Sequence, residues 1–285
     1  MKLATIEKNG LKSTGIIEGD LVYLVSGPGI PATMLELIRG GKEALGQVAE
    51  KHAKQEFKSF LLAEMHIRAP IDNPQKIMAI GHNYMDHIRE QNAPVPTHPL
   101  LFAKFPSSII GPGETITWDE NLTKQVDIEA ELGVVIGRKA RRISVDEALD
   151  YVFGYTVLND VSARDLQYGD KQWVRGKSLD TFCPIGPVIV TSDEIPNPQN
   201  LHLNSQINDF VLQDSNTKEM IFTVAFLISY LSQAFTLEPG DLIASGTPNG
   251  VGMYRNPQIF LKDGDIITVE VEKIGKIINP AKIMG

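Results

Sequence analysis

In the run VDIEAELGVVIG, Asp127, Glu129 and Glu131 stand at every second position. On an extended strand side chains alternate faces, so these three carboxylates share one face and Ile128, Ala130 and Leu132 share the other. Alternation alone describes a solvated outer face equally well. Two features argue for burial instead. The run continues into the apolar GVVIG, and a second apolar run, GYTVLND, ends in Asp160. Buried carboxylates need a compensating cation. Oxygen-only ligands, with no His or Cys beside them, suit Mg²⁺, Mn²⁺ or Ca²⁺ rather than Zn²⁺. Three ligand carboxylates leave coordination positions open to water and substrate.

The segment GHNYMDHIRE follows the apolar KIMAI and so begins at a strand end. If the chain turns helical after Tyr84, His87 and Glu90 fall at i, i+3 on one face. A carboxylate beside an imidazole orients the ring and favours its protonated form, the arrangement of a general base. The same spacing also arises incidentally on exposed helices. From Tyr84 to about Pro96 the chain is polar and offers few docking residues, so it reads as a lid that opens at low cost. Directly after Asp160 and Val161, SARDLQYGDKQWVRGKSLDTFCPIGP sets Arg164, Lys171, Arg175 and Lys177 against Asp165, Asp170 and Asp180. In an acidic protein this is the place to look for cations that receive an anionic substrate; a solvated surface loop is the competing reading.

The remaining signals are weaker. GTPNGVG, Gly246 to Gly252, lacks a following Lys-Ser/Thr and is no P-loop, although its backbone N–H groups could meet an anion. GPGIPA, Gly27 to Ala32, fits a dinucleotide fingerprint only superficially. It holds two prolines, and no βαβ unit follows. His52, His66, His98 and His202 have no partner pattern. Cys183, before Pro184, is expected to be buried and inert.

These groups need elements to position them. LATIE, STGIIEG and LVYLVS are short strand-like runs, followed by helical stretches Thr33–Arg39 and Lys42–Lys54 on either side of Gly40-Gly41. The Pro-rich APIDNP then places a domain boundary near residue 70. Residues 1–70 read as a small N-terminal α+β domain. Residues 71–285 read as the catalytic part, rich in strands, with helices at Ser144–Phe153 and Thr223–Phe235. The first of these helices has Ser144 and Glu147 spaced as a capping box. Strands do not alternate regularly with helices, so an α+β fold with a large mixed sheet, rolled or folded on itself, is expected.

The chain has 285 residues, enough to bury a full core without a disulfide or structural metal. Its single cysteine excludes a disulfide scaffold. A net charge of -8 argues against nucleic-acid binding, which needs a basic face. The opening MKLATIEKNG lacks the apolar core of a secretory signal, so a cytoplasmic chain is expected. The most apolar stretch, Ile221 to Phe235, is too short to span a bilayer.

Taken in order, GHNYMDHIRE, the E-x-E of DIEAELGVVIGR, NDVSARDLQ with GKSLDTFCPIGP, and SGTPNGVG together resemble the fumarylacetoacetate hydrolase family, from about Pro74 to the C-terminus. The resemblance implies a mixed β-sandwich roll with a small N-terminal domain, and a homodimer. It implies one divalent cation per subunit, Mg²⁺ or Mn²⁺ with Ca²⁺ as a further candidate, on Glu129, Glu131 and Asp160. Asp127 matches no ligand position. His87 and Glu90 match the catalytic dyad; Gln167, Lys177 and Thr247 match substrate-contacting positions, Lys177 also adding positive charge at the reacting end. The substrate implied is a small anionic 2-oxo acid. Within the short bacterial and mitochondrial branch, cleavage of a carbon–carbon bond in acylpyruvates is the first expectation. Oxaloacetate decarboxylation or isomerisation of a 2-hydroxyhepta-2,4-diene-1,7-dioate type of substrate are alternatives. A non-catalytic metal- or carboxylate-binding protein is the alternative of another class, which would have no need of the His87–Glu90 dyad.

Overall fold

The computed structural model describes residues 1–284. The strand Ala130–Ile136 is buried along its whole length. It runs antiparallel between Val152–Asn159 and Leu242–Ala244. Its side chains divide as a period of two requires: Leu132, Val134 and Ile136 join one apolar core and Val135 the other. That is why the sequence here is an apolar run rather than an alternation, since both faces are covered.

This strand is central to a 12-stranded mixed sheet. Beyond Leu242–Ala244 come Ile77–Gly81, paired in parallel, and the edge strand Leu100–Lys104. On the other side, Val152–Asn159 leads to Cys183–Thr191, then to Lys2–Lys8, Leu11–Glu18, Leu21–Leu24 and Ser59–Leu61. The sheet therefore crosses the boundary placed near residue 70, through the pairing of Lys2 and Leu3 with Val190 and Ile189. A second sheet of five strands holds Ile116–Asp119, His202–Ile207, Phe210–Asn216, Ile266–Val271 and Gly275–Met284. Its Leu203, Val269, Val271 and Ile277 share a core with Leu132, Val134 and Val157. On the opposite face, Leu37, Ile38 and Val48 of the helix Met34–Ala53 pack with Val135, Leu158 and Ile189. The strand-rich α+β architecture is thus as expected. Among the described residues no helix is long and apolar enough to cross a membrane.

Two local expectations need correction. Ser144–Phe153 is not an α-helix. Ser144 and Glu147 do exchange capping-box hydrogen bonds, but only a 3₁₀ turn, Ala148–Tyr151, follows. Val152 and Phe153 are drawn into the sheet, where tertiary pairing overrides local propensity. VDIEAELGVV is also not one strand. Val126–Asp127 pairs with Ser162–Ala163 in a separate ladder, and the long strand starts at Ala130. Between them, side chains accept the backbone hydrogen bonds: Ile128 N–H donates to Asp127 Oδ1 and Glu129 N–H to Asn159 Oδ1.

Candidate active site

The break in the strand separates Asp127 from its two neighbours in function. Asp127 Oδ2 accepts from Arg164 Nε and Nη2 at 3.0 and 2.8 Å, and its carboxylate also accepts the N–H groups of Gly252 and Met253. It anchors a loop. Glu129, Glu131 and Asp160 instead converge, each offering one oxygen within 4.8 Å of the others, and all three are buried. Asp160 reaches this point because the neighbouring strand Val152–Asn159 ends one residue before it, with Asp160 N–H bonded to the Glu129 carbonyl.

Three buried cations face the carboxylates. Lys177 Nζ donates to Glu129 Oε2 and Asp160 Oδ2, both at 2.8 Å. Arg164 Nη1 donates to Glu129 Oε1 at 2.6 Å. Lys104, fully buried, donates to Asp160 Oδ1 at 2.6 Å and to the Lys177 carbonyl. Burial alone would raise the Glu129 pKa, but Lys177 and Arg164 outweigh it and hold the carboxyl at about 2. Burial would likewise lower Lys177, and Asp160 and Glu129 reverse this and raise it.

Glu131 is the carboxylate left over. Its hydrogen bond comes from the Gly246 N–H at 2.9 Å, with no cation bonded to it. Burial, with Asp160 and Glu129 beside it, pushes its pKa well up. Such a carboxylate fits a divalent cation. Oxygens bound to one Mg²⁺ at about 2.1 Å lie roughly 3 Å apart when cis and about 4.2 Å apart when trans, close to the spacing found. Gly246 must be glycine to serve here. Its φ is 102°, and a Cβ would stand 2.7 Å from the Asn83 Cβ.

The helix Met85–Gln91 carries the imidazole and carboxylate expected of a dyad. His87 Nδ1 lies 2.8 Å from Glu90 Oε2, and Glu90 Oε1 accepts the Gly250 N–H at 2.8 Å. Contrary to the expectation of a weakly docked lid, this helix is held at several points. Tyr84, His87 and Ile88 are buried, and Asp86 accepts from Ser215 Oγ. The apolar docking comes from Tyr84 and Ile88, and the rest from hydrogen bonds that polarity had masked.

One cavity adjoins these parts. It is lined by His82, His87, Glu129, Gln167, Lys177 and Thr247, with Phe102, Trp173 and Tyr254 as its aromatic walls. Gln167 Oε1 accepts from Arg164 Nη1, and Thr247 Oγ1 donates to the Ala130 carbonyl while accepting from Gln213 Nε2. The structure therefore brings together His87, Glu90, Glu129, Glu131, Asp160, Gln167, Lys177 and Thr247. Of the cations sought after Asp160, Arg164 and Lys177 face inward, whereas Arg175 pairs with Asp170 at the surface. Lys104, Asp127 as a loop anchor, and His82 were missed. A lysine inside the apolar LLFAKF was the available signal for Lys104, because a buried lysine needs a carboxylate partner. Cys183 is buried and its thiol is pushed up to about 12 by that burial.

Comparison with known proteins places this geometry. Residues 76–282 match the model described as fumarylacetoacetate (FAA) hydrolase C-terminal. A Xenopus laevis protein named oxaloacetate tautomerase fahd2, mitochondrial, is 46% identical over 255 residues, 89% of this chain and 79% of that protein. Among solved structures, a fumarylacetoacetate hydrolase from Exiguobacterium antarcticum matches with a TM-score of 0.89 at 38% identity, covering 100% of both chains. A maleylpyruvate hydrolase from Sphingobium, solved with manganese(II) and pyruvate, matches with a TM-score of 0.83 at 29% identity, again covering 100% of both chains.

Proposed function

The chain belongs to the fumarylacetoacetate hydrolase family, and from that premise we propose that it is an oxaloacetate keto–enol tautomerase. The observation that carries the reading is the 46% identity, over 89% of the chain, to a protein named for that reaction. The cavity supports it, being lined by Glu129 of a hard-cation carboxylate set and by His87 of a His–Glu dyad. Glu129, Glu131 and Asp160 would hold a divalent cation of the Mg²⁺ or Mn²⁺ kind, whose Lewis acidity favours negative charge on a 2-oxo oxygen.

The chain's own residues do the rest. Lys177 adds positive charge where a 2-oxo acid places its carboxylate and oxo oxygens. Glu90 fixes the His87 ring through Nδ1 and leaves Nε2 for proton transfer. In the direction from enol to keto form, the C2 hydroxyl gives up its proton and C3 gains one. The C2 hydroxyl proton passes to water, protonated His87 delivers one from Nε2 to C3, and His87 regains a proton from water, so the protons balance. The reaction is an isomerisation, so it needs no co-substrate. Phe102, Trp173 and Tyr254 give the cavity an aromatic lining.

A second reading is cleavage of an acylpyruvate, supported by the likeness to the maleylpyruvate hydrolase. There His87 would activate a water that attacks the distal acyl carbonyl, releasing a carboxylic acid and pyruvate. Decarboxylation of oxaloacetate would instead release carbon dioxide. One experiment separates the three. Enol-rich oxaloacetate and acetylpyruvate are each mixed with the Mg²⁺- or Mn²⁺-loaded protein, and enol absorbance, carbon dioxide and acetate are followed. Tautomerisation predicts fast enol decay with no carbon dioxide above the buffer rate. Enol decay no faster than in buffer would end the reading.

A further inference from the structure

His82 lies just past the strand Ile77–Gly81 with a φ of 55°, a left-handed conformation uncommon outside glycine. The turn is held there by its neighbour. Asn83 Nδ2 donates to the carbonyls of Phe222 and Ser245 at 3.0 and 2.7 Å, and Asn83 Oδ1 accepts the Phe222 N–H at 2.8 Å. The Asn83 carbonyl accepts the Ile221 N–H at 2.7 Å. On the other side, Gly81 packs so closely under the Trp173 ring that a Cβ there would collide with it. The imidazole is thereby fixed at the cavity, 5.7 Å from Trp173 and 6.3 Å from His87 between ring centroids. Backbone strain maintained by surrounding structure beside a cavity points to a ligand role.

The other basic side chains of the cavity are already engaged. Arg164 is bonded to Asp127, Glu129 and Gln167. Lys177 is bonded to Glu129 and Asp160. His87 Nδ1 is bonded to Glu90. Among the described residues His82 alone of the four has no hydrogen-bond partner in the protein, and it touches none of the three convergent carboxylates. Its ring nitrogens are therefore free for a group bound in the cavity. Burial, and then His87, lower the pKa of His82, so near neutral pH it offers one N–H donor rather than a charge.

We infer that His82 is a specificity-determining residue, donating to the carboxylate on C3 of a four-carbon 2-oxo dicarboxylate while the 2-oxo acid end lies toward Glu129, Glu131 and Asp160. The inference rests on the 2-oxo acid reading above and adds the group that distinguishes a dicarboxylate from a monocarboxylate. Trp173 and Phe102, 5.3 Å apart between ring centroids, form the apolar wall along which the substrate carbons lie.

The test is calorimetric binding of two unreactive probes to the Mg²⁺-loaded protein. Oxalate fills only the 2-oxo acid end. 3,3-Difluorooxaloacetate, which cannot enolise, also carries the distal carboxylate. His82→Gly removes the imidazole and tolerates the left-handed backbone. It is expected to weaken the difluoro compound about tenfold, the order of one hydrogen bond to a carboxylate. Oxalate binding should stay within about twofold. His82→Asn, also tolerant of this backbone region, should show the same selective loss, and His82→Gln, with a longer donor, should recover part of it. Unchanged binding of both probes, or equal loss of both, overturns the assignment of His82. If the wild-type protein binds neither probe, the 2-oxo acid reading falls, and this inference with it.

Discussion

Lys104 places its ammonium 2.6 Å from Asp160 Oδ1, and both side chains are completely buried. The same ammonium donates to the backbone carbonyl of Lys177, whose own ammonium returns to the other oxygen of Asp160 at 2.8 Å. One lysine thus fixes a convergent carboxylate and the backbone of the second lysine. Removing one partner of a buried pair leaves the other charge uncompensated, at a cost of roughly 3–5 kcal/mol. Lys104→Met is therefore expected to lower the denaturation midpoint markedly in metal-free buffer. Because a divalent cation would compensate Asp160, saturating Mg²⁺ should restore more stability to this variant than to the wild type. Equal Mg²⁺ increments in both proteins would show that Asp160 does not share its charge with the cation.

Glu131 sets a pH dependence. Its folded-state pKa is raised above 4.5 by burial and then by Asp160 and Glu129. A group raised in the folded state contributes stability that is present in full below its unfolded pKa and is lost as pH rises through the folded value. The metal-free protein should therefore lose this contribution from about pH 4.5 upward. Below that, Glu129, held at about 2, acts in the opposite sense, and its contribution is lost as pH falls. Cation binding needs ionised Glu131, so it releases a proton in this window. The rise in melting temperature on adding Mg²⁺ should grow as pH rises above the ordinary carboxylate range, and Glu131→Gln should flatten that growth. A wild-type increment independent of pH would remove Glu131 from the cation site.

His87 and Glu90 should behave as a unit. His87→Ala is expected to slow enol–keto conversion by about a hundredfold or more, the usual range for a lost general acid–base group. Glu90→Gln should act in the same direction, since an imidazole without its orienting carboxylate is a poor proton carrier. The double variant should be little worse than His87→Ala, because both changes disable one proton path. Additive losses in stopped-flow measurements would mean that Glu90 contributes separately from His87. If acylpyruvate cleavage is also found, His87→Ala should depress it more than oxaloacetate decarboxylation, which needs no attacking water.

How far this site was readable depended on whether local pattern and tertiary contact agreed. Glu129 and Glu131 were legible as a pair because an apolar run after them marks a central strand, and Asp160 because an apolar run ends on it. Asp127 has the same parity yet belongs to another ladder, because side-chain oxygens of Asp127 and Asn159 take the N–H groups of Ile128 and Glu129. No spacing rule announces that break. The helix expected at Ser144–Phe153 failed for a related reason, since its cap forms but its continuation is claimed by the sheet. His82 could not be singled out, because its place at the cavity comes from contacts of Asn83 with Phe222 and Ser245, more than 130 residues away in sequence.

Lys177 bridges Glu129 and Asp160 and also lies 5.3 Å from the Phe102 ring centroid. Lys177→Ala removes charge from the part of the cavity where the proposed reaction would place the 2-oxo acid. A higher KM at constant kcat would mark uniform binding, and a fall in both kcat and kcat/KM would mark stabilisation of the transition state. The second outcome is expected, because negative charge develops on the C2 oxygen as its hydroxyl gives up the proton, before C3 gains one. Unchanged kinetics would exclude Lys177 from the reaction.

The last prediction concerns assembly. Leu100–Lys104 is an edge strand of the large sheet, and Leu100, Leu101 and Phe105 are exposed along it. Leu101 also shares a surface groove with Tyr230 and Phe235 of the neighbouring helical segment. An edge with unpaired backbone groups and apolar side chains is a liability unless something covers it. A second copy related by a two-fold axis would cover both edges at once, in keeping with the homodimer that the family resemblance implies. The strand also bears Phe102 and Lys104, so the same contact would brace the cavity wall. Light scattering is expected to give a mass near twice 31.4 kDa at micromolar concentration. Leu101→Glu should shift the protein toward the single-chain mass and lower enol–keto turnover together. A single-chain mass for the wild type would refute the dimer, whereas a dimer undisturbed by Leu101→Glu would move its interface to another face.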